Sequence, residues 1–296
     1  MMSTSDTIVS IGEILWDSMP AGLFPGGASF NVACHLKQLG RNVTFISRIG
    51  DDQLGTEALR RVTLNGLETN MIQKDAYRPT GFVEVELNSE GIPRYNIIKP
   101  AAWDYIELTS AVQQAFRNAS VIVFGTLAQR MENSQRTIQW IEFADAKKVL
   151  DLNLREPHYD RDVVEKSLEI ADVLKINEEE CMVLQQWFDF DHNFKKSMSV
   201  LSRRFNLESV CITRGKNGAL LWHEGEWAEE PGHEIETADT VGAGDAFLAA
   251  LIDGIIKQSS VNECLKIANR LGAYVATQNG AVPEYSPETV FKNAAP

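Results

Sequence analysis

Asp239-Thr240-Val241-Gly242-Ala243-Gly244-Asp245-Ala246-Phe247 is the stretch on which the fold and chemistry of this chain turn. It opens a segment whose apolar residues recur at helical spacing: Phe247, Leu251 and Ile255, with Leu248, Ile252 and Ile256 beside them. The small residues at 242–244 leave the backbone N–H groups of the helix start uncovered. Free N–H groups at the positive end of a helix dipole attract an anion. Asp245 falls in the first turn beside that site. A carboxylate there suits a base that takes a proton from an attacking hydroxyl. It equally suits an acidic residue stabilising a helix N-terminus behind a glycine-rich turn.

Upstream, apolar runs alternate with helical patterns. Strands are expected at Thr7–Gly12, Val43–Ser47, Val121–Phe124, Lys148–Asp151, Val173–Ile176 and Val210–Thr213. Helices are expected at Ser29–Leu39, Leu54–Leu64 and about 132–144, 161–169, 178–188 and 193–204. This rhythm predicts an α/β fold, a mainly parallel sheet sandwiched by helices. Ligands of such sheets sit beyond the carboxyl ends of the strands. One region breaks the rhythm. Phe82–Leu87 and Arg94–Ile98 read as a hairpin turning at Asn88-Ser89-Glu90-Gly91, its first strand alternating apolar and acidic residues. It suits a lid or an extension of a sheet edge.

The chain has 296 residues, 44% hydrophobic and 23% charged, which is ordinary globular usage and argues against disorder. The length suits a single domain spanning 1–296. With 28 basic against 41 acidic residues the net charge is −13, which disfavours nucleic acid and anionic membranes as partners. The polar, β-like first ten residues are no secretory signal, and the longest apolar run, Ala246–Ile252, is far too short to span a bilayer. A soluble, cytoplasmic protein is expected. Cys34, Cys181, Cys211 and Cys264 lack metal-ligand spacing and read as buried, reduced thiols. The five histidines, His35, His158, His192, His223 and His233, are scattered and read as surface or packing residues.

No P-loop is present, since Gly215-Lys216 lacks a following Ser or Thr, and no GxGxxG follows a strand. Other segments are weaker singly. Gly26-Gly27 before Asn31 is a close-approach turn or merely a tight one. Asn177 with Glu180 fits either a capping box or a polar pair near hydrated Mg²⁺. Arg155, at the end of Asp151-Leu152-Asn153-Leu154-Arg155, suits a phosphate oxygen or a surface carboxylate. Thr213-Arg214-Gly215 places a hydroxyl at another strand end.

Together these segments resemble the ribokinase (PfkB) family of carbohydrate kinases over nearly the whole chain. Gly26-Gly27-Ala28-Ser29-Phe30-Asn31-Val32-Ala33 looks like its N-terminal signature and 239–247 like its C-terminal one. Gly50–Gly55, Pro79-Thr80-Gly81 and Asn177–Glu180 fall where the family pattern expects them. Gly12-Glu13-Ile14-Leu15-Trp16-Asp17, Ala102-Trp103-Asp104, Gly125–Arg130 and Asp151–Arg155 look like the bacterial fructokinase branch. The resemblance implies a ribokinase-like sheet with lid segments at about 13–25 and 81–104.

It also implies ATP-dependent phosphorylation of a sugar primary hydroxyl, with fructose 6-phosphate as the expected product. Asp245 would be the catalytic base, the N–H groups of Gly242, Ala243 and Gly244 the anion hole, and Arg155 would face the transferred phosphate. Asp17, Gly27 and Asn31 would hold the sugar, with Trp103 a candidate wall. Lys175 would help bind ATP, Thr213 and Gly215 would lie by its phosphates, and Asn269 and Gly272, on the last helix, by the adenine. Asn177 and Glu180 would position Mg²⁺ mainly through water, and Asp239 a K⁺ ion. Ribose, 2-keto-3-deoxygluconate or a nucleoside are alternative substrates, and a non-catalytic sugar-binding relative is a second class. A nicotinamide-dependent oxidoreductase lacks its glycine fingerprint. Ser29 stands where sugar kinases often have Pro, and the segment after Asp17 is short. An exposed lid face bearing Phe82, Val83 and Val85 would suit a homodimer.

Overall fold

The computed structural model describes residues 7–19, 22–87, 93–236 and 238–292. In chain order the strands are β1 (Thr7–Ile11), β2 (Leu15–Met19), β3 (Gly22–Gly26), β4 (Asn42–Gly50), β5 (Ile72–Asp75), β6 (Gly81–Leu87), β7 (Pro93–Ile97), β8 (Val121–Gly125), β9 (Lys147–Asp151), β10 (Val173–Asn177), β11 (Ser209–Thr213), β12 (Ala219–His223) and β13 (Glu226–Glu230). The helices are α1 (Ala28–Gln38), α2 (Gln53–Leu64), α3 (Ser110–Asn118), α4 (Glu132–Gln139), α5 (Arg161–Ile170), α6 (Glu178–Phe188), α7 (Phe194–Phe205), α8 (Ala243–Ile256), α9 (Val261–Ala276) and α10 (Pro287–Lys292).

Nine strands form one sheet in the order β13-β12-β11-β10-β9-β8-β1-β4-β5. From β11 to β5 every pairing is parallel; β12 and β13 add an antiparallel hairpin at one edge. The period-2 alternation of strands sends their side chains to opposite faces. Val9, Ile11, Ile122 and Phe124 pack with residues of α3 to α7, whereas Ile8, Val121 and Val123 pack with α1, α2 and α8. The chain winds outward from β1 through β4 and β5, then returns to β8 on the other side of β1. The crevice between β1 and β8 is therefore the topological switch point, where such sheets bind ligands.

The element β2–β3 forms a small antiparallel hairpin, and β6–β7 joins it in a separate four-stranded sheet, β3-β2-β6-β7, so the hairpin at 81–98 does not extend the main sheet. Its turn, Asn88–Gly91, lies outside the described residues. The expected exposed face needs correction. Val83 is buried and Phe82 is half-buried against the core beneath, and the Val85 side chain lies outside those described; among the described residues of this sheet, Leu23 and Phe24 on edge strand β3 are the large apolar side chains exposed.

Three strands fall outside both the expected strands and the expected lid segments: β5, β12 and β13. Each is short, and β13 reads Glu-Trp-Ala-Glu-Glu, polar as an edge strand must be. The helix bearing Asn269 and Gly272, α9, is followed by the short α10 and so is not the last. Two buried ion pairs tie distant parts together. Arg41, before β4, holds Asp253 of α8 through Nε at 2.7 Å. Arg130 meets both oxygens of Asp104 (2.7 and 2.9 Å) and the carbonyls of Ile97 and Ile98 at the base of β7. Its guanidinium also lies 4.1 Å from the Trp103 ring centroid. Among the described residues no helix is long and apolar enough to cross a membrane, and the four cysteines are free and buried.

Candidate active site

The site forms where α1 and α8 start side by side. Gly242 caps α8 in a left-handed conformation (φ 78°), and a Cβ there would collide with the carbonyl of Ala281. Only glycine meets both conditions. Asp245, in the first turn, is half-buried, and its Oδ2 accepts a 2.8 Å hydrogen bond from Asn31 Nδ2. Burial, and then the charge of Asp151, push the Asp245 carboxyl up to about 6; Asn31, Lys175 and Arg155 pull the other way. That range suits a group that must hold and release a proton near neutrality. Asn31 is itself buried, and its Oδ1 has no protein partner.

Beneath the helix start, Lys175 Nζ lies 3.3 Å from the position a Cβ on Gly244 would take and 2.9 Å from Asp151 Oδ1. Desolvation disfavours its charge, but Asp151, Glu180 and Asp245 outweigh it and hold the lysine protonated. A buried cation thus sits beside Gly244 in the first turn of α8, tied into a cluster of carboxylates.

A second carboxylate that feels Arg155 is Asp17 of β2. Burial raises its carboxyl, and Arg155 lowers it. Arg155 is exposed, and its charge lowers both the Asp17 and the Asp245 carboxyl. A Cβ on Gly26, across the β2–β3 hairpin, would strike Asp17 Oδ2. If Asp17 holds the substrate, as the sequence leads one to expect, Gly26→Ala should displace that carboxylate and raise the substrate KM about tenfold or more, with kcat less affected; steady-state kinetics check it, and an unchanged KM overturns that expectation.

Gly27 precedes α1, and its carbonyl accepts the Asn31 N–H at 2.9 Å. Ser29 has a role that proline could not fill: its N–H and Oγ both face the buried carboxylate of Glu13 (3.4 and 3.3 Å). Burial raises the Glu13 carboxyl, and the nearby Asp245 adds to the rise.

A cavity of about 970 Å³ opens on the far side of the α8 start. Thr213, Gly215, Asn269 and Gly272 line it, as do Ala243 and Gly244. The sequence reading missed Lys216 and the 232–236 segment, which complete its wall. Asn269 Nδ2 donates to Pro231 O at 2.7 Å, fastening α9 to that segment.

One expected residue sits differently. Trp103 is fully buried in the core, against the start of β6 at Gly81, and in this conformation offers no surface to a ligand. Trp16 is also buried, its Nε1 on the Leu54 carbonyl. Asn177 and Glu180 form a complete capping box on α6. Both Glu180 oxygens accept backbone N–H groups, from Leu154 and Asn177 at 2.8 Å each. Burial raises its carboxyl. With its oxygens so engaged, the pair fits a cation held through water rather than directly.

The comparisons agree with this architecture. The family model described as pfkB family carbohydrate kinase matches residues 20–288, and the chain belongs to that family. It is a sugar kinase. The chain is 27% identical to the fructokinase of Escherichia coli over 274 residues, covering 87% of each. It is 29% identical to fructokinase-2 of Oryza sativa, covering 93% of this chain and 90% of that one. A solved sugar kinase from Pyrococcus horikoshii superposes with a TM-score of 0.83 at 26% identity over 97% of both chains. The fructokinase of Xylella fastidiosa, 21% identical, shares the fold with a TM-score of 0.84 over 97% of this chain and 98% of that one.

Proposed function

We propose that the protein transfers the γ-phosphoryl group of ATP to a primary hydroxyl of a sugar, with fructose as substrate and fructose 6-phosphate as product. One observation carries the reading: Asp245, its carboxyl pushed up to about 6, stands in the first turn of α8, and the start of that helix lines a nucleotide-sized cavity. Fructose is favoured because the similar curated proteins from Escherichia coli and Oryza sativa are fructokinases.

Asp17, Gly27 and Asn31 hold the sugar hydroxyls. The unpartnered Oδ1 of Asn31 is an acceptor that a sugar hydroxyl satisfies. Asp245 takes the proton from the attacking hydroxyl oxygen. As charge shifts on the transferred group, the amides of Gly242, Ala243 and Gly244 hold it, with Lys175 beneath and Arg155 outside. ATP lies in the cavity, its adenine by Asn269 and Gly272 and its phosphates by Thr213, Gly215 and Lys216. A similar sugar kinase of Pyrococcus horikoshii, 27% identical, has been solved in complex with ATP. Asn177 and Glu180 would hold a Mg²⁺ ion through water, and such an ion would supply charge neutralisation on the phosphate oxygens. Asp239 uses one oxygen on the Val241 N–H (3.0 Å), which leaves the other for a K⁺ ion beside the anion hole.

The small sheet β3-β2-β6-β7 is the lid of the single domain: it carries Asp17, and its closure keeps water from competing with the sugar. A coupled ADP-release assay across fructose, ribose, 2-keto-3-deoxygluconate and adenosine tests the assignment. Turnover is expected to be highest with fructose; preference for another sugar overturns the substrate, and absence of turnover with all four favours a sugar-binding relative.

A further inference from the structure

His35 is a buried titratable side chain that the transfer mechanism leaves unused. It lies one helical turn beyond Asn31 on α1 and is fully buried. Its Nε2 is 3.0 Å from the carbonyl of Ala281, and its Nδ1 is 3.0 Å from the hydroxyl of Tyr285. A carbonyl can only accept, so Nε2 carries the hydrogen and Nδ1 accepts from Tyr285. The two rings stack at 5.8 Å with 20° between planes. One turn further along α1, Gln38 grips the same segment: Nε2 donates to Pro283 O (3.2 Å), and Oε1 accepts from Tyr285 N (3.1 Å). Burial lowers His35 to about 4, so it stays neutral in this tautomer near neutrality.

The gripped segment has one neighbour of chemical consequence. Ala281 packs on Gly242, so closely that no Cβ fits between them. The left-handed cap that exposes the α8 amides therefore rests on Ala281, and Ala281 rests on His35. Asn31 and His35 share one face of α1, one holding the catalytic carboxylate and the other the floor of the anion hole.

We propose that His35 is a positioning residue for phosphoryl transfer: by holding the Ala281–Tyr285 segment against Gly242, it fixes the anion-hole amides relative to Asp245. The inference rests on the transfer reading above. Misplacement of a transition-state donor costs turnover more than ground-state binding.

Wild-type turnover is measured first, and its absence overturns the transfer reading and this inference with it. Given turnover, His35→Leu, which keeps bulk but loses both hydrogen bonds, should lower kcat about 10- to 100-fold, with sugar KM and ATP Kd within about threefold of wild type. His35→Gln, whose side-chain amide can still donate to Ala281 O, should recover to within about threefold of wild-type kcat. Tyr285→Phe, which leaves the Ala281 contact in place, should lower the Tm yet keep kcat. A folded His35→Leu enzyme with wild-type kcat, or with its loss wholly in KM, overturns this inference alone. Should His35→Leu not fold, His35→Gln and Tyr285→Phe decide: a kcat loss of more than about tenfold in either overturns it.

Discussion

Replacing Asp245 by Asn lowers kcat by about 10²- to 10⁴-fold, while sugar and ATP still bind. The substitution is nearly isosteric, and an amide oxygen at 245 can keep the Asn31 hydrogen bond (2.8 Å in the native pair). What is lost is the ability to accept the proton from the attacking hydroxyl. The same assignment fixes a pH dependence. A base works when deprotonated, and this carboxyl titrates at about 6. Activity should therefore rise with pH through about 6, and that acid limb should vanish in Asp245→Asn. Binding by calorimetry and turnover by ADP release separate the two effects. Residual kcat within about tenfold of wild type removes Asp245 as the base.

The second large effect is on stability. Arg130→Met should destabilise the fold by about 3–5 kcal/mol, because it leaves the Asp104 carboxylate buried without its partner. Arg130 and Asp104 have side-chain exposures of 1% and 0%, so water cannot replace the lost contacts. The change also strips the guanidinium from the Ile97 and Ile98 carbonyls, where strand β7 leaves the core. Urea unfolding measures the loss. A double variant, Arg130→Met with Asp104→Leu, should recover much of it, since removing both charges also removes the desolvation cost. A single variant as stable as wild type would mean that solvent reaches the pair.

Much of this was legible in the sequence, and the reasons differ by residue. The parallel sheet showed itself because buried strands read as apolar runs between helical patterns, and the observed ranges of β1, β8, β9, β10 and β11 fall within a residue or two of expectation. The α8 start was legible because small residues followed by an acid are a local pattern. Partnerships were not. Asn31 and Asp245 stand 214 positions apart, and no local pattern announces such a pair. Ser29 appeared only as a departure from a family signature; the buried Glu13 explains it. Lys216 entered the sequence reading as a failed P-loop, yet it lines the cavity, because a basic residue after a strand end carries no mark of which cavity it faces. Trp103, a candidate wall by its size, proved to be core; bulk alone does not distinguish the two.

The helix that supplies the site has almost no face of its own for water: from Ala246 to Gly254 every residue of α8 is buried. It packs between α1, near the beginning of the chain, and α9, near its end. Such a helix has little reason to exist before both neighbours have formed, because packing rather than propensity holds it. The site at its start therefore depends on packing between segments far apart in the chain. A chain still emerging from the ribosome without α9 lacks one of the two neighbours of α8 and the part of the cavity wall that Asn269 and Gly272 supply.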